Sequence, residues 1–143
     1  MMLLLDTNVL SELRKVRAGR ADRGFAAWAD TLDADALFMS AITVMEIEMG
    51  ILRVERKDRE QGAILRAWFA GRVLPEFQNR ILAVDAPVAL RCARLHVPDP
   101  RSERDALIAA TALVHGMPLA TRNTRDFLAT GVSLINPWEV QHD

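Results

Sequence analysis

Apolar residues along this chain fall into two patterns that alternate. Met2-Leu3-Leu4-Leu5, Leu37-Phe38-Met39, Ile81-Leu82-Ala83-Val84 and Pro118 to Thr121 are short, nearly unbroken runs, and polar residues follow the first three at Asp6, Ser40 and Asp85. Runs of that length predict buried strands, because a strand covered on both faces does not alternate. Between the runs, apolar positions recur at helical spacing. Leu10 and Leu13 predict a short helix ahead of an arginine-rich loop with Arg14, Lys15, Arg17, Arg20 and Arg23. Phe25, Trp28, Ala29 and Leu32 stand at i, i+3, i+4, i+7, which is one buried helical face. Ile42, Met45, Met49 and Leu52 predict the face of a third helix that ends in the charged run Arg53 to Glu60, and Leu65, Trp68, Phe69 and Val73 a fourth that Pro75 should stop. A helix is expected from about Pro87 to His96, then a break at Pro98 and Pro100. Ser102 caps an alanine-rich helix running through Ile108, Ala109 and Ala112 to a stop at Gly116, and Leu134 with Ile135 supplies a fifth short strand.

Strands alternating with helices place the chain in the α/β class, with a central, mainly parallel sheet of four to five strands flanked by helices. At 143 residues it is expected to be a single domain over 1–143, long enough to bury a core. Half of the residues are hydrophobic and 26% charged, the balance of a globular rather than a disordered protein. The net charge of −1 argues against a surface wrapped all over in nucleic acid and leaves room for a local basic patch. Cys92 is the only cysteine, which excludes an internal disulfide and a cysteine-based zinc site; its expected place is the core. The first apolar run is too short for a membrane span and has no basic segment before it, so a cytoplasmic protein is expected.

Four acidic residues fall where this topology converges. Asp6 ends the first run, at the carboxyl end of a strand, where parallel sheets bind ligands. Glu46 lies in the helix after the second run, Asp105 opens the alanine-rich helix, and Asp126 follows the fourth run. Each also has a local structural explanation. Asp6 could cap the next helix, Glu46 could close a capping box with Thr43, Asp105 could favour its helix dipole, and Asp126 could cap a short helix holding Phe127 and Leu128. Gathered in one cleft, however, four carboxylates repel one another unless a cation compensates. An all-oxygen donor set favours Mg2+ or Mn2+ over zinc, and such an ion suits phosphodiester hydrolysis. His96, His115 and His142 lie off these segments and are not expected to be ligands.

The segments Leu3-Leu4-Leu5-Asp6-Thr7-Asn8-Val9-Leu10-Ser11-Glu12, Thr43-Val44-Met45-Glu46-Ile47, Asp105-Ala106-Leu107-Ile108-Ala109-Ala110-Thr111-Ala112 and Ala120-Thr121-Arg122-Asn123-Thr124-Arg125-Asp126-Phe127 resemble PIN-domain ribonucleases. Within that family the resemblance is to toxins of the VapC and FitB type from bacterial toxin-antitoxin pairs, and it extends nearly over the whole chain, including Asn136-Pro137-Trp138. It implies a PIN-like three-layer sandwich and a metal-dependent endoribonuclease. Asp6, Glu46, Asp105 and Asp126 would form the catalytic metal site, with Asp6 and Asp105 as core ligands and Glu46 and Asp126 ligating or holding water. Thr7, Asn8, Thr121 and Asn123 would be supporting polar residues, and Mg2+ the cofactor, with Mn2+ able to substitute.

The resemblance also implies a cognate VapB-like antitoxin. Leu10, Leu13, Trp28, Met45, Met49, Leu52, Trp68 and Phe69 are more apolar bulk than four short helices need, and Leu10, Leu13, Met45, Met49 and Leu52 are the expected antitoxin groove. The RNA substrate would be met by Arg14, Lys15, Arg17, Arg122 and Arg125. A homodimer is expected, or a hetero-oligomer with the antitoxin, touching DNA only through the antitoxin and no membrane. The alternative is a catalytically inactive PIN domain that binds protein or RNA. Asp85, ending the third run, suggests a phosphoacceptor receiver instead, but that reading needs a lysine after the last strand, and Lys15 and Lys57 are the only lysines.

Overall fold

In the computed structural model, which describes residues 1–139, five short strands form one parallel sheet in the order β3-β2-β1-β4-β5. Strand β1 (Leu3–Leu5) is central, with β2 (Leu37–Ser40) and β3 (Ile81–Leu82) on one side and β4 (Leu119–Ala120) and β5 (Leu134–Ile135) on the other. Leu3 stands opposite Leu37, and Leu5 opposite Ala120. Side chains alternate across a strand, so Leu3 and Leu5 enter a core with Phe25, Met39, Ile47 and Phe69, while Leu4 enters another with Ile108, Leu119 and Phe127. Helices therefore cover both faces. Strands β1 and β4 are buried and β2 nearly so, as their composition predicts, whereas the edge strands β3 and β5 are only half-buried and Val84, expected in the third buried run, is exposed. Strand order reverses between β1 and β4, so the carboxyl ends of these two strands form the topological switch point, the place where open parallel sheets have their ligand crevice.

The helices are α1 (Thr7–Arg17), α2 (Arg23–Asp30), α3 (Ala41–Lys57), α4 (Arg59–Trp68), α5 (Leu74–Glu76), α6 (Ala86–Leu95) and α7 (Glu103–His115). Ser102 caps α7 and Gly116 ends it at φ 67, as expected from sequence. Cys92 is buried. Among the described residues no helix is long and apolar enough to cross a membrane. The expectation for His142, and the last four residues of a domain over 1–143, lie outside the described residues.

Several expectations are corrected. Helix α1 continues through Arg14, Lys15 and Arg17, so the arginine-rich segment begins on a helix rather than in a loop. Strand β3 ends at Leu82, leaving Ala83 and Val84 outside it, and Asp85 caps α6 by accepting from the Val88 N–H at 3.1 Å. Pro75 does not stop the fourth helix. A π-helical turn over Phe69–Val73 shifts the hydrogen-bond register, with the Leu74 N–H donating to the Phe69 carbonyl, and Pro75 then sits in the first turn of α5, where its missing N–H costs nothing. The buried stripe of α3 is Thr43, Ile47 and Ile51, not the row of Ile42, Met45, Met49 and Leu52, of which Met45 is 41% and Leu52 49% exposed.

Helix α4 fixes that choice. It folds back on α3 after Asp58, which ends one helix and caps the other, and Arg66 pairs with Glu48 and Glu55 across the hairpin. The two backbones meet at Gly62, where a Cβ would lie 2.6 Å from Glu55 Cγ and 2.8 Å from Glu55 Cα. Backbone cannot swing aside as a side-chain tip can. Gly62→Ala is therefore expected to lower stability by about 1–2 kcal/mol despite the better helix propensity of alanine, read as a lower denaturation midpoint.

Candidate active site at the carboxyl ends of β1 and β4

Asp6 is the first residue past β1, and its side chain serves two masters. Oδ1 accepts from the Thr7 N–H at 2.8 Å and so caps α1, while Oδ2 accepts from Thr121 Oγ1 at 2.7 Å and approaches Asn8 Nδ2 at 3.5 Å. The capping role and a role in the cleft are thus compatible. The Asp6 backbone N–H donates to the Ala120 carbonyl at 2.9 Å, which ties the residue to β4 as well as to β1. Asp6 is 7% exposed, and burial pushes its pKa above the ordinary carboxylate value. The hydrogen bonds from Thr121 and Thr7 pull the other way, and the negative charges of Glu46 and Asp105 add to the rise.

Thr121, the first residue past β4, is fully buried and accepts from the Asn123 N–H at 3.1 Å while donating to Asp6. Asn8 spans the crevice: its Oδ1 accepts from the Arg122 N–H at 3.2 Å, and its amide lies 3.5 Å from Thr121 Oγ1. Asn123 therefore joins this network through its backbone.

Glu46 projects from α3 toward the same place. Its Oε1 accepts from Thr7 Oγ1 at 2.7 Å, and its Oε2 lies 3.7 Å from Arg104 Nη1. The capping box with Thr43 does not form, since Ser40 caps α3 and places Thr43 inside it. Asp105 sits in the first turn of α7 with its backbone N–H on Ser102 Oγ at 3.4 Å. Burial raises its pKa, and the charges of Asp126 and Glu46 raise it further. Asp126 lies inside a 3-10 turn over Thr124–Thr130 and does not cap it; the residue before the turn is Asn123. The four acidic residues are thus within electrostatic reach of one another, Asp6 with Glu46 and Asp105, and Asp105 with Asp126.

Among the described residues no three acidic, histidine or cysteine side chains stand in a ready ligand cage. The donor chemistry nevertheless fits a hard divalent cation: carboxylates with threonine and asparagine oxygens, and two of the carboxylates carrying an electrostatic cost that a cation would relieve. Two histidines are elsewhere, His96 accepting from the Arg101 N–H and His115 exposed at the end of α7.

Arg104 was not singled out from sequence. The available signal was a basic residue directly before Asp105 in the first turn of α7, where the helix dipole disfavours positive charge.

The expected groove residues separate. Leu10 and Leu13 line a cleft of about 410 Å³ with Leu32, Trp68 and Phe77, edged by Arg14, Arg17 and Arg72. Met45, Met49 and Leu52 are not part of its lining.

Thr121→Val keeps the shape but removes the donor to Asp6 Oδ2, so the Asp6 carboxylate becomes harder to keep ionised and loses its orientation. Residues that orient a metal ligand typically contribute about 10–100-fold, and a loss of that size in Mn2+ affinity is expected by titration. Wild-type affinity would show that the hydroxyl is dispensable.

The family model described as PIN domain matches residues 3–132. The chain is 38% identical to "VapC ribonuclease Y4jK" of Sinorhizobium fredii, over 96% of this chain and 99% of that protein, and 36% identical to "Toxin FitB" of Neisseria gonorrhoeae with the same coverage. A solved structure described as FitAB bound to IR36 DNA fragment superimposes with a TM-score of 0.87 at 35% identity, covering 99% of both chains.

Proposed function

The chain belongs to the PIN-domain family, and on that footing we propose that it is a Mg2+- or Mn2+-dependent endoribonuclease, the toxin of a toxin-antitoxin pair. The observation that carries this reading is the meeting of Asp6 and Asp105 at the sheet's crevice, both pushed up in pKa by burial and by neighbouring carboxylates. Asp6 and Asp105 would hold the ion, with Glu46 and Asp126 ligating or holding water. The chemistry a divalent ion supplies when bound is positive charge, which acidifies a water and offsets charge growing on the phosphoryl oxygens.

The chain's own groups set the stage for that chemistry. Thr121 Oγ1 and the Thr7 N–H each donate to the Asp6 carboxylate, which holds its two oxygens in separate directions and favours the ionised form. Thr7 Oγ1 anchors one oxygen of Glu46 and leaves the other facing Arg104. Thr7 thereby couples α1 to α3, and a single threonine orients two acidic residues.

The relatives' names extend to partners. We infer a VapB-like antitoxin that occupies the apolar cleft beside Leu10, Leu13 and Trp68, and an assembly that meets DNA only through that antitoxin. A homodimer acting in the cytoplasm completes the reading.

The purified chain, free of partner, is expected to cut RNA in Mg2+ or Mn2+ and to stop in excess chelator. Cleavage that persists unchanged in EDTA would rule out the metal. No cleavage in any divalent ion would favour the alternative, a PIN domain that only binds.

A further inference from the structure

We propose that Arg104 is the substrate-phosphate anchor of this site: its guanidinium rests on Glu46 in the free protein and transfers to an RNA phosphate next to the scissile bond. The proposal rests on the ribonuclease reading and adds to it the residue that receives the substrate's charge.

Four carboxylates face a polyanionic substrate, and a divalent ion among them leaves the phosphates beside the reacting one to be met by a cation of the protein. Among the described residues, Arg104 is the only arginine or lysine that brings a side-chain nitrogen within 4 Å of a carboxylate oxygen of any of the four. Two other arginines are engaged elsewhere. Arg122 lies over the Trp138 ring at 5.1 Å, and Arg101 donates to the Leu95 carbonyl.

The geometry of the Arg104 contact is that of a resting place rather than a lock. Nη1 is 3.7 Å from Glu46 Oε2, beyond hydrogen-bond distance, and the arginine side chain is 47% exposed against 22% for the glutamate. An exposed, unaligned ion pair is weak and easily exchanged. Glu46 would keep its place when Arg104 leaves, because Thr7 Oγ1 holds its other oxygen at 2.7 Å. A guanidinium also presents paired N–H donors that match two phosphate oxygens, which an ammonium cannot do. Helix stability gives no reason for the residue, since a positive charge in the first turn of α7 opposes the helix dipole. Its place beside Asp105, reaching to Glu46, puts it at the edge of the acidic cluster, where a phosphate adjoining the reacting one would pass.

The test compares wild type, Arg104→Ala and Arg104→Lys in three measurements. These are steady-state cleavage of a single-stranded RNA, binding of that RNA by fluorescence anisotropy with Ca2+ replacing Mg2+ and the oligonucleotide verified uncut, and Mn2+ titration of the RNA-free protein. For Arg104→Ala, KM and the RNA Kd are expected to rise about ten- to thirtyfold. The slope of log Kd against log salt should become shallower by about 0.7, the value of one lost phosphate contact on a single strand. Mn2+ affinity should stay equal or increase, because a competing cation has gone from Glu46. Arg104→Lys should keep the salt slope and recover only part of the affinity.

The proposal is overturned if Arg104→Ala leaves KM, Kd and salt slope at wild-type values while wild type cuts RNA normally. It is equally overturned if the loss falls on kcat together with weaker Mn2+ binding, which would make Arg104 a positioning residue for Glu46. A wild-type protein that cuts no RNA in any divalent ion overturns the ribonuclease reading itself, and this proposal with it.

Discussion

Asp6→Asn is expected to reduce RNA cleavage by more than about 100-fold, the upper end of what losing even a supporting residue costs a metal site, while raising the melting temperature of the metal-free protein. The two effects have one cause. Asparagine matches aspartate in size, can still accept from the Thr7 N–H and can offer its amide to Thr121 Oγ1, so the α1 cap and the link to β4 survive. The amide carries no charge with which to hold a divalent cation.

The sign of the stability change follows from the pKa shifts. Asp6 and Asp105 both have folded-state values raised above the ordinary 3.8, chiefly by burial, so the folded protein binds their protons more tightly than the unfolded chain. Their stabilising contribution is present below that value and is lost as pH rises through the raised folded-state values. At neutral pH without metal, each ionised carboxylate works against folding, and its amide replacement removes the penalty. Thermal melts in EDTA should therefore show Asp6→Asn and Asp105→Asn melting above wild type at pH 7, with the gap closing toward pH 4. Added Mn2+ should raise wild type and leave the mutants nearly unchanged. A mutant that melts below wild type at pH 7 in EDTA, or that cleaves at the wild-type rate with the usual metal dependence, contradicts the site.

Leu13→Asp carries the second large effect, at least a 100-fold loss of affinity for the proposed antitoxin, equivalent to about 3 kcal/mol. Leu13 lines the 410 Å³ cleft and is only half-buried in the free protein, whereas Leu10 beside it is 2% exposed and belongs to the core. An aspartate at position 13 can therefore be solvated in the free chain but not beneath a docked apolar segment, where its charge would be buried without a partner. Calorimetric titration of the folded variant with the antitoxin reads the loss directly. The same substitution at Leu52, on the outer face of α3, is the informative comparison. If Leu52→Asp weakens the complex and Leu13→Asp does not, the partner covers α3 and not the cleft.

The positions of the candidate acidic residues were legible in the sequence because several of them sit at punctuation points that sequence marks well. Asp6 ends an apolar run, and Asp105 stands three residues after a capping serine; both positions follow from local pattern alone. Thr121 was legible for the same reason, as the polar residue that closes β4. Whether these acids cap a helix or face the cleft is decided by their hydrogen bonds. Asp6 does cap, and still presents its second oxygen to the cleft; Glu46 does not, and turns to Thr7 on a different helix.

What the sequence by itself determined is the alternation of strands and helices, and with it a parallel sheet with Asp6 at the end of its central strand. Local periodicity decides that, because burial on both faces requires continuous apolar strands and one-sided burial requires helical stripes. Which stripe of α3 faces inward was decided only by tertiary structure. Ile42, Met45, Met49 and Leu52 repeat as well as Thr43, Ile47 and Ile51, and the choice is made by where the sheet lies and how α4 docks at Gly62. The same holds for Pro75, which a π-helical turn accommodates, and for Arg104, whose partner Glu46 lies on another helix far away in the chain. Each of these depends on a contact between segments distant in sequence, and periodicity reports only that a face is apolar or a residue charged, not what the fold brings against it.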